Sequence, residues 1–433
     1  MDIKNRISGT RDRWLLFSPR FGPLFATQFL GAFNDNFFKN ALIVLFTFIL
    51  VSSPGETLIL VNLASALFIL PFFLFSPLAG QLADKYEKSG LIRRIKQGEI
   101  VIMTMAAFAL WSESVYAMLL VLFLLGMQST FFGPTKYSLL PQHLGREELL
   151  DGNAYVECGT FLAILLGTLC GGWLAADRLT IDWLAYGGVV IAIIGWFASM
   201  GIPEAPSTIP NLKLDWNLYR GITGLLAQAK QAGMDRLIAY ISWFWLLGAL
   251  FLTQLAPWAD EMLKTDGRLA TLLIAIFSIG IAVGSIWCAH LAQRFASLKI
   301  ALAGGSGMSV FAIWMALIPE QAVGFESIAA LPQSLAGWSV ITSLGGLSIC
   351  AGLYTVPLYT LLQMESPEDV RSRVIAALNV TNSFYILAGS IAAMVLLSLI
   401  GISISMLFGL LGLINVGVMI MLWAYVVRRL IDD

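Results

Sequence analysis

Charge is scarce in this chain. Asp, Glu, Lys and Arg make up 12% of its 433 residues against 58% hydrophobic, with a mean hydropathy of +0.81. One soluble core cannot bury that much apolar surface, and the apolar runs repeatedly exceed the ~18–20 residues needed to cross a bilayer. Cysteine is sparse as well. Cys158, Cys170, Cys288 and Cys350 all fall inside apolar runs without C-x-x-C or Cys/His spacing, which excludes a disulfide framework and a zinc site. Histidine occurs twice, as His143 and His290, and the residue five after His143 is Glu148, so no H-x4-D acyltransferase box is present. G-x-x-x-x-G-K-[ST] is missing, which argues against ATP hydrolysis, and no basic patch interleaved with aromatics points to nucleic acid. No cofactor is expected and the chain is not expected to be an enzyme. The N-terminus lacks a short apolar region followed by an A-x-A-like cleavage site, so its first apolar segment is expected to be retained as a span.

What is present is a series of apolar segments at 21–51, 58–80, 99–113, 115–135, 152–176, 181–201, 237–259, 269–292, 299–318, 336–362, 372–397 and 401–427. Each suits a helix crossing ~30 Å of hydrocarbon. The expected fold is therefore an all-α polytopic membrane protein with twelve transmembrane helices. The third and fourth spans share a short turn around Ser112, Glu113 and Ser114. With both termini cytoplasmic, 22 of the 26 Lys and Arg residues fall inside and three (Arg178, Lys264, Arg268) fall outside; Lys39 is within span 1. That asymmetry predicts the orientation.

Residues 202–236 form the one long internal connection. Pro203, Pro206 and Pro210 open it, and Leu218, Ile222, Leu225, Leu226 and Ala229 follow at helical spacing opposite Arg220, Gln228, Lys230 and Gln231. The pattern predicts an amphipathic helix on the cytoplasmic surface. Three parts follow: a six-helix half at 1–201, a cytoplasmic linker at 202–236 and a second six-helix half at 237–433. "GQLADK" after span 2 echoes "AHLAQR" after span 8, where a repeat would put it.

Charges inside spans carry the functional reading. "QFLGAFNDNFFKNAL", residues 28–42, interrupts span 1 with Asn34, Asp35, Asn36, Lys39 and Asn40. Gln28, Gly31, Ala32, Asp35 and Lys39 share one helical stripe, and Asp35 and Lys39 form an i,i+4 pair of opposite sign. Mutual neutralisation, with the asparagines as interhelical glue, is one reading. A cavity-facing substrate site is preferred, because a structural role needs no charge and an intramembrane carboxylate is costly. Lys136 closes span 4 in "GPTKY", and Glu157 lies one and a half turns into span 5. A phosphate would prefer Lys136 or Lys39, and an ammonium a carboxylate. Snorkelling to the interface is the alternative for Lys136, and packing for Glu157. The candidate substrate-binding residues are Gln28, Asp35, Asn36, Lys39, Lys136 and Glu157. Gly167, Gly171 and Gly172 read as a packing seam, and Trp243, Trp245 and Trp258 as interface anchors or packing.

"GQLADKYEK", with Gly80, Asp84, Lys85 and Lys88, resembles the loop 2–3 signature of the major facilitator superfamily, lacking only the glycine between the basic residues. In that reading Gly80 permits close helix packing, and Asp84 latches one conformation through cationic groups and helix dipoles. "QFLGAFNDNFFKNAL", "FFGPTKYSLLPQ" (131–142) and "LLDGNAYVECGTFLAILLGTLCGGWLAAD" (149–177) resemble the lysophospholipid transporter (LplT) family, and still more the transporter half of acyltransferase-fused members. The resemblance is strong over 21–177 and diffuse beyond. It implies a flippase, acting by alternating access, that moves lysophospholipid, chiefly the ethanolamine type, from the outer to the inner leaflet of a bacterial inner membrane. Spans 1 and 4 would line the cavity and span 5 pack beside them, so Asp35, Lys136 and Glu157 would converge on one zwitterionic headgroup. Partners would be membrane lipids and a separate acyltransferase, with the chain itself a monomer. Span 7 departs from standalone members in having Gln254 where an arginine can occur. Two other readings are a facilitator of a soluble solute such as a drug or metal chelate, and a non-transporting subunit that docks an acyltransferase through 212–232.

Overall fold

The computed structural model describes residues 15–50, 54–263, 267–318 and 333–432, which contain helices and no strand. The basic residues Lys4, Arg6, Arg11, Arg13 and Lys264 lie outside the described residues. The chain divides into two compact units, one of Met1–Asp235 with Leu362–Ser383 and one of Arg236–Leu361 with Phe384–Asp433.

The first unit holds α1 (Gly22–Leu45), α2 (Pro54–Leu74), α3 (Ser76–Lys85), α4 (Lys88–Trp111), α5 (Val115–His143), α6 (Arg146–Ala175), α7 (Ile181–Met200) and α8 (Leu218–Gln231). The second unit is built on α9 (Asp235–Leu263), α10 (Gly267–Leu291), α11 (Ser297–Ala316) and α14 (Ile404–Asp432), with most of α12 (Leu335–Glu365) and the second half of α13 (Arg371–Met394). Ten of the described helical spans are long and apolar enough to cross a membrane, and α2 with α3, bent by 48° between them, makes an eleventh. The twelfth long helix is α4, whose 24 residues carry Lys88, Arg93, Arg94, Lys96 and Glu99.

That charge corrects the expected start of span 3. Lys88, Arg93, Arg94 and Lys96 were expected in a loop ending near 99, but α4 is helical from Lys88. Its N-terminus is capped by Glu87, which accepts from the amides of Ser89 (2.8 Å) and Gly90 (2.6 Å), and Lys96 is neutralised within the helix by Glu99 at i+3. Two further boundaries move. Helix α5 continues past Lys136 to His143, and α6 begins at Arg146, so Glu157 sits about three turns into its helix. The turn at Ser112–Ser114 falls between α4 and α5 as expected, with Glu113 at φ 48°.

Helix α1 packs on α6 and α7, and α4 on α5 and α7. The glycine seam explains how closely α1 and α6 approach. A Cβ at Gly171 would stand 2.0 Å from the Phe37 carbonyl oxygen and one at Gly167 2.4 Å from that of Phe33, whereas at Gly172 the nearest atom is 3.7 Å away. Phe37, Leu42, Met103, Leu110, Leu122 and Leu184 fill the core between these helices. In the second unit Gly284 brings α10 to 2.0 Å, by the same measure, of the Ile349 carbonyl on α12. There the three tryptophans serve packing: Trp258 is fully buried and donates to Ser405, Trp243 donates to Asn415, and Trp245 to the Tyr359 hydroxyl.

The amphipathic segment folds as α8, starting at Leu218 after an Asn217 cap rather than near 212. Its apolar residues Leu225 and Ala229 are buried, and α8 packs on α3, where a Cβ at Gly221 would meet Pro77 at 2.8 Å. Residues 202–217 are irregular, and they are bonded to the helix ends beneath them. Ala205 accepts from the Lys88 amide (2.9 Å), the Asp84 carbonyl accepts from Thr208 (3.0 Å) and Ile209 (2.9 Å), and Asp215 donates to Gln81 (2.7 Å).

Candidate functional site

Helix α1 carries two polar clusters at different levels. At the first, Gln28 donates to the Val156 carbonyl of α6 (3.4 Å), and its amide oxygen accepts from Lys136 of α5 (3.4 Å) and Thr160 of α6 (3.2 Å). A glycine at 159 makes room, since a Cβ there would stand 2.9 Å from the Gln28 amide nitrogen. Lys136 also lies over the Tyr137 ring, 4.6 Å from its centroid. Beside it Glu157 is 1% exposed, and neither carboxyl oxygen has a hydrogen-bond partner. The Lys136 charge is the one that acts on Glu157, and Asp35 and Lys96 act on Lys136 in turn.

The second cluster surrounds Asp35. Its Oδ2 accepts from the Ser129 hydroxyl of α5, and its Oδ1 is buried without a partner. Ser129 also reaches Gln128 Oε1 (3.1 Å), and Gln128 donates to Glu99 Oε2 (3.0 Å), the same oxygen that pairs with Lys96 Nζ at 2.5 Å. Asn34 completes the cluster by donating to Glu99 Oε1 (3.1 Å) and to the Gly188 carbonyl of α7 (3.2 Å). Lys96 and Glu99 are 0% and 1% exposed at their side chains. Gly31 admits the lysine, because a Cβ there would stand 2.5 Å from Lys96 Nζ.

The alternative reading, mutual neutralisation of Asp35 and Lys39 as an ion pair, is not what the structure contains. Asp35 turns to Ser129, and Lys39 lies over the Phe68 ring, 5.4 Å from its centroid, the next turn of α1 having carried its ammonium towards α2. Asn36 bonds back to the Ala32 carbonyl of its own helix (2.8 Å), whereas Asn40 donates both to the Asn36 carbonyl (3.0 Å) and across to the Thr168 hydroxyl of α6 (3.0 Å), an interhelical bond. Lys136 belongs to the helix interior, not to its end. Gln28 and Lys136 do meet, and Glu157 and Asp35 lie within electrostatic reach of Lys136 without an ion pair to it.

Lys96, Glu99, Gln128 and Ser129 were missed. A signal existed in "KQGE", where opposite charges three apart sit next to an apolar run of helical length, but their basic neighbours Arg93 and Arg94 make the same stretch read as a loop. Gln363 was missed as well. It exchanges two hydrogen bonds with Asn153, at 2.8 and 3.1 Å, and both side chains are buried.

The loop 2–3 signature occupies the α3–α4 corner. Asp84, fully buried, accepts from Arg373 Nε of α13 at 2.8 Å. Gly80 lets that segment approach, since a Cβ would stand 2.8 Å from Ala376 Cβ and 3.2 Å from the Arg373 Cα. Lys88 donates to the Pro206 carbonyl (3.3 Å) and Thr208 (3.2 Å), and Lys85 lies over Tyr86 at 5.9 Å. Just outside the spans, burial pushes the Glu87 carboxyl up, but donors from Ala205, Ser89 and Gly90 outweigh it and hold the group below its ordinary value.

The Major Facilitator Superfamily pattern matches residues 24–389. The chain belongs to the major facilitator superfamily. It is a multi-pass membrane transporter and not an enzyme. Among curated proteins it is similar to the lysophospholipid transporter LplT of Escherichia coli O157:H7 (strain EC4115 / EHEC), 26% identical over 364 residues, covering 82% of this chain and 83% of that one. LplT of Shigella sonnei (strain Ss046) is 26% identical over 367 residues with the same coverage. Among solved structures, the superfamily transporter FucP in its outward conformation matches with a TM-score of 0.69 at 13% identity, over 93% of this chain and 97% of that one. The human organic anion transporter MFSD10 matches with a TM-score of 0.70 at 14% identity, over 94% and 100%. These likenesses support the superfamily fold.

Proposed function

We propose that this transporter carries lysophospholipid, chiefly the ethanolamine type, from the outer to the inner leaflet of a bacterial inner membrane by alternating access, with both termini cytoplasmic. The observation that carries this reading is a buried carboxyl without a hydrogen-bond partner, Glu157, within electrostatic reach of the Lys136 ammonium that Gln28 holds. A buried charge without a partner costs several kcal/mol, so the arrangement suits a ligand that brings its own opposite charges. A zwitterionic headgroup does so: its phosphate turns to Lys136 and its ammonium to Glu157 and the free oxygen of Asp35. The likeness to LplT proteins over 82% of the chain supports the lipid class. Gly80, Asp84 and Arg373 would act as the conformational latch, Asp84 releasing Arg373 as the transporter changes state, with Lys85 and Lys88 alongside.

The test is a leaflet assay in proteoliposomes. Labelled lysophosphatidylethanolamine should become inaccessible to an external reagent faster with protein than without, and Glu157→Gln should abolish the difference. Uptake of a soluble solute with no lipid movement would replace this reading by that of a solute facilitator.

A further inference from the structure

The second unit contains a cavity of about 470 Å³ that none of the residues discussed above, except Trp243, lines. It opens between α9, the second half of α13 and the last turns of α14. Because α9 begins at Asp235 and α14 ends at Asp432, Arg236 and Arg428 mark one end of the unit's long helices, and the cavity runs from there past Trp243 and Met421 to Val418 and Tyr385 near mid-span. Two arginines line it, Arg236 from the first turn of α9 and Arg428 from the last turns of α14. Both are exposed, and no ion pair joins either to a described residue. Tyr240 and Tyr385 contribute phenols, and Trp243 contributes a ring whose N–H is already used on Asn415. The remaining wall is apolar and is built on α14 from Val418, Met421 and Ala424, of which Met421 is 58% exposed.

We propose that this groove is a binding site for the phosphodiester headgroup of an anionic diacyl phospholipid of the surrounding leaflet, separate from the transported cargo. Two guanidiniums that no ion pair ties to a described carboxylate complement a phosphodiester, and Arg makes forked hydrogen bonds to its oxygens. Tyr240 and Trp243, a phenol and an indole in the first turns of α9, suit the headgroup level of a bilayer. The volume falls in the ~300–1,000 Å³ range of small-ligand sites, enough for a headgroup. The acyl chains then lie along Met421 and Val418, on the apolar wall that runs from the arginines towards mid-span. A soluble anion would gain nothing from that wall. Basic pockets between transmembrane helices recognise anionic headgroups by the same chemistry.

The experiment uses the full chain in phosphatidylcholine nanodiscs, with melting temperature read as phosphatidylglycerol is titrated in. Wild type should show a saturable rise beyond that given by equal added phosphatidylcholine. Arg236→Gln with Arg428→Gln should weaken the apparent affinity by about tenfold or more, while the melting temperature in phosphatidylcholine alone stays near wild type. Arg236→Lys with Arg428→Lys should keep part of the effect. An unchanged phosphatidylglycerol response in the double glutamine variant overturns the proposal. So does removal of the wild-type response by lysophosphatidylethanolamine, which would make the groove part of the cargo route.

Discussion

Lys96 and Glu99, three residues apart on α4, form an ion pair of 2.5 Å with both side chains withdrawn from solvent, and the carboxylate is also the acceptor for Gln128 of α5 and Asn34 of α1. Three helices of the first unit are thus joined through one carboxyl group. Removing only the cation leaves that carboxylate buried and uncompensated, at a cost of about 3–5 kcal/mol. Lys96→Met should therefore express poorly or melt far below wild type, and adding Glu99→Leu should recover much of the loss. Melting curves in one detergent compare the three proteins. A Lys96→Met protein as stable as wild type would show that the pair contributes little.

Asp35 is held by a neutral donor, Ser129, in a site one helical turn from Lys39. Asn can accept the same hydrogen bond, so Asp35→Asn should melt close to wild type while lysophospholipid transport falls by about tenfold or more, the order expected for a lost charge-assisted contact. Lys39→Met added to it should not restore transport. Near-normal flipping by the double variant would move the site to Lys136 and Glu157 alone.

Gly171 and Gly172 are neighbours in sequence with opposite expected tolerance. A Cβ at 171 meets the Phe37 carbonyl oxygen at 2.0 Å, and backbone cannot yield as a side chain does, while a Cβ at 172 meets Val44 Cγ2 at an ordinary 3.7 Å. Gly171→Ala should cost about 1–3 kcal/mol, the range for overpacked sites, and Gly172→Ala should leave the melting temperature unchanged. Equal behaviour of the two would mean that α1 and α6 separate readily.

Glu87 caps α4 and receives the Ala205 amide at 2.8 Å. Its carboxyl is depressed below the ordinary 4.5, so its ionised form is the one the folded state prefers. The stabilisation it gives is complete above pH 4.5 and is lost as pH falls through the depressed folded value. Glu87→Gln should accordingly lower the melting temperature at pH 7, with the gap to wild type closing in acid. A gap that stays constant from pH 7 into acid would show that the cap's charge is not involved.

Helix number and the polar stripe of α1 were legible in the sequence because apolar length and 3.6-residue spacing are local properties. Gln28 and Asp35 are both on that stripe, and both are in the clusters. What was hidden was the choice of partner. An i,i+4 carboxylate and ammonium can always be paired on paper, but Ser129, ninety-four residues away, takes Asp35 only because α5 packs beside α1. The same limit applies to Lys96, whose burial depends on the space Gly31 leaves on a different helix. Loop and helix were confused at 88–98 for a related reason: basic residues count against a membrane span until their counter-charges and backbone acceptors are known.

The stretch 202–217 has enough residues to span roughly 50 Å if extended, and by composition it reads as slack. The bonds from Ala205, Thr208, Ile209 and Asp215 to the ends of α3 and α4 take up nearly all of that slack. Between α8 and α9 the chain turns at Gly233, which adopts φ 72°. Shortening the proline-rich stretch would therefore peel the α3–α4 corner apart, and with it the Asp84 carbonyl from the amides that hold it.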